Sequence, residues 1–240
     1  MNGPTSYPNP LLAGWRCGGD GIQRTNLWYR TFRHFFIGTV GTFFNLRVYE
    51  RRYEPARGGA VYICNHQSFL DPILMSLALR RPMNYMARDS LFKSWVFGNL
   101  IRRLNAFPVR RNSADTGALK EAMRRLKAGG QVVLFAEGTR SIDGKIAPLL
   151  PGVAMLAQRA AAWAVPVVIE GAVDCWPRTR LLPRRGTIAV QYGQPIPREQ
   201  IAHLSPAEFV KMMHGKLVDI QNALRVRMNR PPIEYDPKQE

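Results

Sequence analysis

Apolar residues recur at steps of three and four along residues 26–46, and this spacing predicts an amphipathic helix rich in aromatic side chains. Tyr29 and Phe36 fall on its apolar side, while Arg30 and Arg33 form a basic edge. Aromatic rings beside arginines suit the headgroup boundary of a bilayer, so we interpret the segment as an interfacial, membrane-anchoring helix. The alternative is a helix that packs on the protein's own domain.

Short β-prone apolar runs alternate with helical patterns over the rest of the chain. The predicted strands are residues 60–65, 83–88, 106–109, 131–135, 165–169 and 187–192. The predicted helices are residues 70–79, 90–105, 114–128, 152–163 and 206–228. Such alternation is typical of an α/β fold in which helices flank a mainly parallel sheet.

The same pattern divides the chain into three parts. Residues 1–46 are interpreted as an arm followed by the interfacial helix, residues 47–230 as the main domain, and residues 231–240 as a polar tail. No stretch without Asp, Glu, Lys or Arg reaches the roughly 18–20 residues that a membrane-spanning helix needs. We therefore expect a monotopic or peripheral attachment to one leaflet.

The charge of the chain narrows the choice of partners. Its 240 residues include 34 Lys and Arg against 17 Asp and Glu, a formal net charge of +17, and residues 80–127 form the most basic region. This excess suits an anionic membrane surface, a phosphorylated substrate or nucleic acid. Because no nucleic-acid-binding motif is present, we expect no nucleic-acid partner, although a non-catalytic membrane or nucleic-acid-binding protein stays open as an alternative.

The cysteines do not form a metal site in the sequence. Cys17, Cys64 and Cys175 are an odd number at unrelated spacings and include no CxxC pair. This pattern favours a reducing environment on the cytoplasmic side of the membrane and no structural zinc.

Two of the predicted strands end in loops that carry reactive side chains, and such loops lie together at the carboxyl edge of a parallel sheet. The first loop runs from His66 to Asp71, and the second contains Glu137 and Arg140. At this spacing the carboxylate can bond one imidazole nitrogen, which leaves the other nitrogen available as a base. The alternative for His66 is a purely structural histidine.

The segments NHQSFLD (residues 65–71) and FAEGTRSIDGK (residues 135–145) occur in this order and resemble the glycerolipid acyltransferase family, the group that contains the 1-acylglycerol-3-phosphate acyltransferases. Two weaker blocks add to the resemblance, AFPVRR (residues 106–111) and VPVVI (residues 165–169). The resemblance extends over roughly residues 49–192.

The resemblance implies an O-acyltransferase that moves a fatty acyl group from an acyl thioester to the free hydroxyl of a lysophospholipid. The expected acceptor is 1-acyl-sn-glycerol 3-phosphate, and the product is phosphatidic acid. His66 would be the general base and Asp71 would orient it. The residues expected to bind the substrate lie in the second of the loops above and in a third loop, after the predicted strand 106–109; they are Arg110, Arg111, Glu137, Gly138, Thr139 and Arg140.

The implied reaction needs no metal and no cofactor, because the acyl group arrives on a co-substrate, acyl-CoA or acyl carrier protein. The expected partners are this donor, the lysophospholipid acceptor and the anionic membrane surface, at the cytoplasmic face of the cell membrane.

The chain departs from the family pattern at two informative places. Ala136 stands where a proline is usual, and Arg110 stands where many members carry an acidic residue. The second change makes the expected acceptor pocket more basic. Another acceptor, a lyso-ornithine lipid or glycerol 3-phosphate, therefore remains an alternative.

Overall fold

The computed structural model describes residues 27–110 and 115–235. Eight strands form one sheet in the order β1-β7-β6-β2-β5-β3-β4, with β8 paired to the start of β6. The strands are β1 (Phe44–Tyr49), β2 (Ala60–Cys64), β3 (Met83–Arg88), β4 (Ala106–Val109), β5 (Gln131–Phe135), β6 (Trp163–Glu170), β7 (Gly186–Tyr192) and β8 (Ile196–Pro197).

The helices connect these strands. They are α1 (Leu27–Phe43), α2 (Asp71–Ala78), α3 (Trp95–Arg103), α4 (Thr116–Lys127), α5 (Gly152–Arg159), α6 (Ala172–Cys175), α7 (Arg198–Ile201) and α8 (Pro206–Arg227). Buried side chains of α1, α2 and α6 cover one face of the sheet, and those of α4, α5, α7 and α8 cover the other. The predicted α/β fold, with helices on both faces of a mainly parallel sheet, is confirmed.

Strand direction decides where the loops meet. Strands β2, β3, β4, β5 and β6 run parallel, so the loops that follow them share one edge of the sheet, the carboxyl edge. Strand β7 is antiparallel to β6, and β1 is parallel to β7. Strands β1 and β7 therefore begin at the carboxyl edge, a reversal that the alternation of elements did not predict.

The N-terminal helix is shorter than predicted. Helix α1 ends at Phe43, and the following residues form strand β1, which pairs with β7. The residues predicted as the end of the helix, 44–46, are therefore β-strand, because strand pairing satisfies their backbone within the sheet. The predicted boundary between residues 46 and 47 falls inside β1, and the predicted arm, residues 1–25, and the first residue of the predicted helix, Asn26, lie outside the described residues.

Helix α1 packs on the domain along one side and exposes the other. Tyr29 and Arg33 are buried, and the Arg33 guanidinium donates to the Leu79 carbonyl oxygen at 2.8 Å. Arg33 thus satisfies the end of α2 rather than facing headgroups, because an arginine side chain can supply donors to carbonyls that a helix end leaves unpaired. Phe35 and Phe43 remain exposed. Among the described residues, no helix is long and apolar enough to cross a membrane.

Two other predicted helices are shortened by local signals. The segment 90–105 divides into a 3-10 turn, Asp89–Phe92, and helix α3, which Ser94 caps by accepting a bond from the Phe97 amide. The predicted helix 152–163 ends at Arg159, and Trp163 begins strand β6.

Part of the predicted polar tail packs on the core. The Tyr235 hydroxyl accepts a hydrogen bond from the Ile146 amide at 2.9 Å.

Candidate active site

The loop between β2 and α2 brings His66 and Asp71 together. His66 Nδ1 lies 2.7 Å from Asp71 Oδ2, and the Asp71 side chain is fully buried while 12% of the His66 side chain is exposed. The His66 ring stacks on Phe135 at the end of β5, with centroids 4.3 Å apart. The imidazole is thus held by a carboxylate at one nitrogen and by a ring across its face. No described residue bonds its Nε2.

The Asp71 carboxylate also fixes the loop that carries His66. Its Oδ2 accepts hydrogen bonds from the backbone amides of Gln67, at 2.6 Å, and Ser68, at 2.8 Å. Asp71 is the first residue of α2, where the helix N-terminus favours a negative charge. One buried oxygen therefore organises three donors, and loop folding and imidazole orientation depend on the same atom.

Asn65 and Gln67 tie this loop to β6 and to the loop after β5. The Asn65 side-chain amide donates to the Ile169 carbonyl at 2.9 Å and accepts from the Ile169 amide at 2.8 Å. The Gln67 side chain donates to the carbonyl of Gly144 at 3.2 Å. Gly144 has a φ of +85°, a conformation that favours glycine. These contacts set the height of His66 relative to the neighbouring strands.

Glu137 lies beneath the loop rather than in the open site. Its Oε1 accepts from the His66 amide at 2.7 Å and its Oε2 from the Ala147 amide at 2.9 Å, and the residue is buried. Burial raises the pKa of the Glu137 carboxyl to about 7, although the two backbone bonds oppose the shift. Glu137 thus bridges the loops after β2 and β5, a contact that the sequence could not show.

We expect Glu137 to make stability depend on pH. Because folding raises its pKa from 4.5 to about 7, its contribution to stability is fully present below about pH 4.5 and is lost as the pH rises through about 7. The stability advantage of wild type over Glu137→Gln should therefore shrink between about pH 5 and pH 8. Melting temperatures across this range measure it. Glu199→Gln, at an exposed position on α7, is the control, and a pH-independent difference for Glu137→Gln would contradict the expectation.

The remaining residues of the loop after β5 differ in their surroundings. Gly138 has a φ of +71°, and a Cβ there would lie 2.7 Å from a Leu150 side-chain carbon, so the turn requires glycine. Thr139 is exposed. The Arg140 guanidinium carbon lies 3.5 Å from the centre of the Phe69 ring, which places the Arg140 cation beside the loop of His66.

The third predicted binding loop follows strand β4. Arg110 is exposed, its amide donates to Asp115 Oδ2 at 2.9 Å, and its guanidinium Nε lies 3.6 Å from the same oxygen. Arg111 lies outside the described residues. Strand β4 is three strands from β2, so Arg110 shares the carboxyl edge with His66 but stands about 14 Å away along the sheet.

A buried polar cluster lies behind the site, and no pattern in the sequence predicted it. Glu170, at the end of β6, accepts bonds from Gln221 and Arg225 of α8, and Gln221 also donates to the Gly144 carbonyl at 2.8 Å. The cluster joins the C-terminal helix to the loops of the site. Gln221 and Arg225 lie 155 and 159 residues after His66 along the chain, and only the fold brings them close to the site.

Comparisons with known proteins give one consistent result. The sequence model of the family described as Acyltransferase matches residues 45–170, more than half of the chain. A Bacillus subtilis protein named 1-acyl-sn-glycerol-3-phosphate acyltransferase is 27% identical over 184 residues, which are 75% of this chain and 89% of that protein. A Cocos nucifera protein of the same name is 29% identical over 67% of this chain and 53% of its own length.

The fold also has a counterpart among solved structures. The crystal structure of the 1-acyl-sn-glycerophosphate acyltransferase from Thermotoga maritima matches with a TM-score of 0.70, at 24% identity, over 82% of this chain and 80% of that chain. This likeness supports the fold. His66, Asp71 and the loop from Glu137 to Arg140 all lie within the region matched by the family.

Proposed function

The chain belongs to the acyltransferase family, and from this premise we propose that it acylates 1-acyl-sn-glycerol 3-phosphate to give phosphatidic acid in phospholipid biosynthesis. The observation that carries the proposal is the His66–Asp71 pair, held at the carboxyl edge by a 2.7 Å bond. The names of the Bacillus and Cocos relatives support the choice of acceptor.

The proposed reaction is a direct transfer. His66 Nε2 takes the proton of the acceptor hydroxyl as its oxygen attacks the thioester carbonyl. The tetrahedral intermediate then collapses, the C–S bond breaks, and the imidazolium returns the proton to the departing thiolate. General-base assistance of this kind contributes about 10²–10⁴ in rate. Asp71 keeps the proton of the neutral imidazole on Nδ1 and stabilises the imidazolium that forms.

No covalent acyl-enzyme is needed in this scheme. A thiol ionises with a pKa near 8.5, so a thiolate leaves far more readily than an alkoxide would. The thioester, carried by coenzyme A or acyl carrier protein, is a co-substrate, and the scheme requires no other cofactor. This chain contributes the base, its orientation and the cations that hold the acceptor.

Arg140 is the best-placed cation for the acceptor phosphate. It stands on the loop next to His66, and its contact with the Phe69 ring restricts where its guanidinium can lie. Arg110, two strands from β5, supplies further positive charge at the same edge, and Arg111 is proposed to join it. We assign Glu137 to positioning His66, because both of its oxygens bond backbone amides, and Thr139 to contact with the acceptor.

We expect Arg140→Ala to weaken use of the phosphorylated acceptor. The loss of one charge-assisted hydrogen bond costs about 1.5–3 kcal/mol, which corresponds to a kcat/KM lower by about 13- to 160-fold. Arg140→Lys should lose less, because it keeps the charge but not the guanidinium fork. Rates with 1-acylglycerol 3-phosphate and with monoacylglycerol measure the effect. An unchanged preference for the phosphorylated acceptor would assign Arg140 to structure alone.

A purified-protein assay tests the function itself. The full chain is incubated with an acyl-CoA or with an acyl-carrier-protein thioester as donor and, in separate reactions, lysophosphatidate, a lyso-ornithine lipid and glycerol 3-phosphate, and products are identified by mass spectrometry. Phosphatidic acid formed by wild type but not by His66→Ala supports the proposal. Acylation of a different acceptor, or of none, overturns it.

The proposed location is the cytoplasmic face of the membrane, where the anionic leaflet meets the basic surface. The exposed side of α1 offers Leu27, Phe35 and Phe43 to the lipid, and Arg30 to the headgroups. The contact of α1 with lipid is best tested by Phe35→Ser, which changes only the exposed face of the helix. A deletion of residues 1–46 would also remove the buried Tyr29 and Arg33 and half of β1.

A further inference from the structure

Exposed apolar side chains stand on both sides of His66 at the carboxyl edge of the sheet. Trp95, Val96 and Phe97 form the first turn of α3, in the connection after β3, and are 81%, 70% and 44% exposed. Leu181 and Leu182, in the connection from α6 to β7, are 88% and 73% exposed. We name these features the tryptophan turn (residues 95–97) and the leucine loop (residues 177–184). Neither is needed for the proposed chemistry.

The topology places them symmetrically about the site. In the strand order β7-β6-β2-β5-β3, strand β2 carries His66, and β7 and β3 each lie two positions away. Strand β7 begins at the carboxyl edge because it is antiparallel to β6, so the leucine loop reaches the same edge as the tryptophan turn. At a strand spacing of about 4.8 Å, each feature starts about 10 Å to one side of His66.

The leucine loop is closed at its base by hydrogen bonds. The Arg184 amide donates to the Cys175 carbonyl at 2.8 Å, and the Trp176 indole donates to the Arg180 carbonyl at 3.1 Å. The Arg184 guanidinium also donates to the carbonyl of Asp174. These bonds hold the two ends of the loop together, so Leu181 and Leu182 are presented without any prior ordering step.

The tryptophan turn is held just as firmly. Ser94 caps α3 at the Phe97 amide, and the buried Gly98 lies so close to the preceding turn that a Cβ would come within 2.7 Å of the Phe92 carbonyl oxygen. This close approach fixes the rotation of α3 about its axis. Ile101 then faces the core, while Trp95 and Val96 face outward.

The two segments that carry these features are basic, although Asp89 and Asp174 border them. Residues 176–198 contain no acidic residue, and neither do residues 90–110. The exposed basic residues in these two segments on the side of the carboxyl edge are Lys93, Arg102, Arg103, Arg110, Arg178, Arg180, Arg184 and Arg185, whereas Arg198 follows β8 at the opposite edge. Exposed leucines and a tryptophan within such a basic surface match the two layers of an anionic leaflet, with apolar groups below the headgroups and cations among them.

We propose that the tryptophan turn and the leucine loop insert together into the headgroup region of an anionic lipid leaflet and hold the carboxyl edge of the sheet against it. The inference rests on the proposed function only in expecting a lipid acceptor at His66. The proposed surface is a second attachment of the domain, in addition to α1. The two attachments adjoin each other, since the Arg185 guanidinium lies 5.9 Å from the centre of the Phe43 ring at the end of α1. Three contacts would then fix the orientation of the site.

Vesicle binding by the full chain tests the proposal. The variants are Leu181→Ser with Leu182→Ser, and Trp95→Ser with Val96→Ser. The control is Met155→Ser with Val226→Ser, two exposed apolar residues on α5 and α8. Partitioning is measured on phosphatidylcholine vesicles with and without phosphatidylglycerol. Each test pair should lower the partition coefficient on anionic vesicles about tenfold or more, because apolar area no longer enters the lipid, while the control pair should not.

Further measurements separate the possible outcomes. Brominated phosphatidylcholine should quench tryptophan fluorescence less in Trp95→Phe than in wild type. If both test pairs partition like wild type, the proposal is overturned. It is also overturned if wild type is a dimer and the test pairs dissociate that dimer without losing vesicle binding, because the surface would then be an interface between two copies of the chain. Turnover of a detergent-dispersed substrate by the test pairs reports that they fold. Loss of vesicle binding with that turnover retained supports the proposal. If the chain binds vesicles but acylates no acceptor, the proposed function is refuted and the proposed membrane-binding surface is still supported.

Discussion

His66→Ala should lower acyl transfer by about 10²–10⁴, the largest effect we expect of any single substitution, because it removes the base that accepts the hydroxyl proton. The effect should fall on kcat, since the imidazole acts in the transition state and carries no part of the acceptor phosphate. Steady-state rates with lysophosphatidate and an acyl-CoA measure it.

The structure supplies the control for this experiment. His66 is partly exposed and its ring rests on Phe135, so truncation does not open the core; it removes one ring contact and the bond to Asp71 Oδ2, which keeps its two backbone donors. Vesicle binding should therefore stay close to wild type, and the melting temperature should fall by no more than the loss of one buried hydrogen bond explains. A variant that folds normally and keeps near-wild-type turnover would show that the mechanism is wrong and that His66 is structural.

Substitution of Asp71 should have the second largest effect, and for Asp71→Asn we expect a loss of about 10² in kcat with the fold retained. All three bonds from His66 and the two backbone amides go to Oδ2, and no described residue bonds the buried Oδ1. An asparagine that places its oxygen at the Oδ2 position keeps these bonds, loses the negative charge and puts its amide nitrogen at the buried Oδ1 position, where no described residue accepts from it. The variant therefore measures how much the carboxylate stabilises the imidazolium.

Asp71→Ala separates orientation from charge. It leaves the Gln67 and Ser68 amides without their acceptor in a buried place, which costs about 1–3 kcal/mol of stability for each unpaired group. This variant should lose more activity than Asp71→Asn and should also unfold at a lower temperature. Equal activity of the two variants would mean that the loop bonds contribute nothing to catalysis beyond the Asp71 charge, and full activity of Asp71→Asn would contradict a role of that charge in catalysis.

The site could be located from the sequence because its two central residues sit close together in the chain. Asp71 follows His66 by five positions, a separation that a single turn into a helix can close. Glu137 was found as a residue of the site but expected to contact the acceptor, and the structure shows it bonded to the His66 amide instead. That bond joins residues 71 positions apart, and no local pattern indicates which backbone group a glutamate will meet.

The N-terminal helix shows the same limit for the fold. The apolar period of this segment predicted a helix, and α1 is present. The period did not predict that the chain passes directly from α1 into strand β1, which forms because β7 lies alongside. The sequence pattern predicted that Arg33 is a surface cation. In the structure Arg33 is buried and donates a hydrogen bond to the Leu79 carbonyl at the end of α2. In both cases a distant partner decided the outcome.

The sequence by itself determined the α/β class, the strands that end in reactive loops, and the family, because hydrophobic periodicity and short motifs are local properties. Tertiary structure alone decided the reversed direction of β1 and β7, the place of Glu137 under His66, the anchoring of the site by Gln221, and the arrangement of the leucine loop and the tryptophan turn around one edge. These features depend on which strands pair and in which direction, and such pairing is set by the packing of the whole chain.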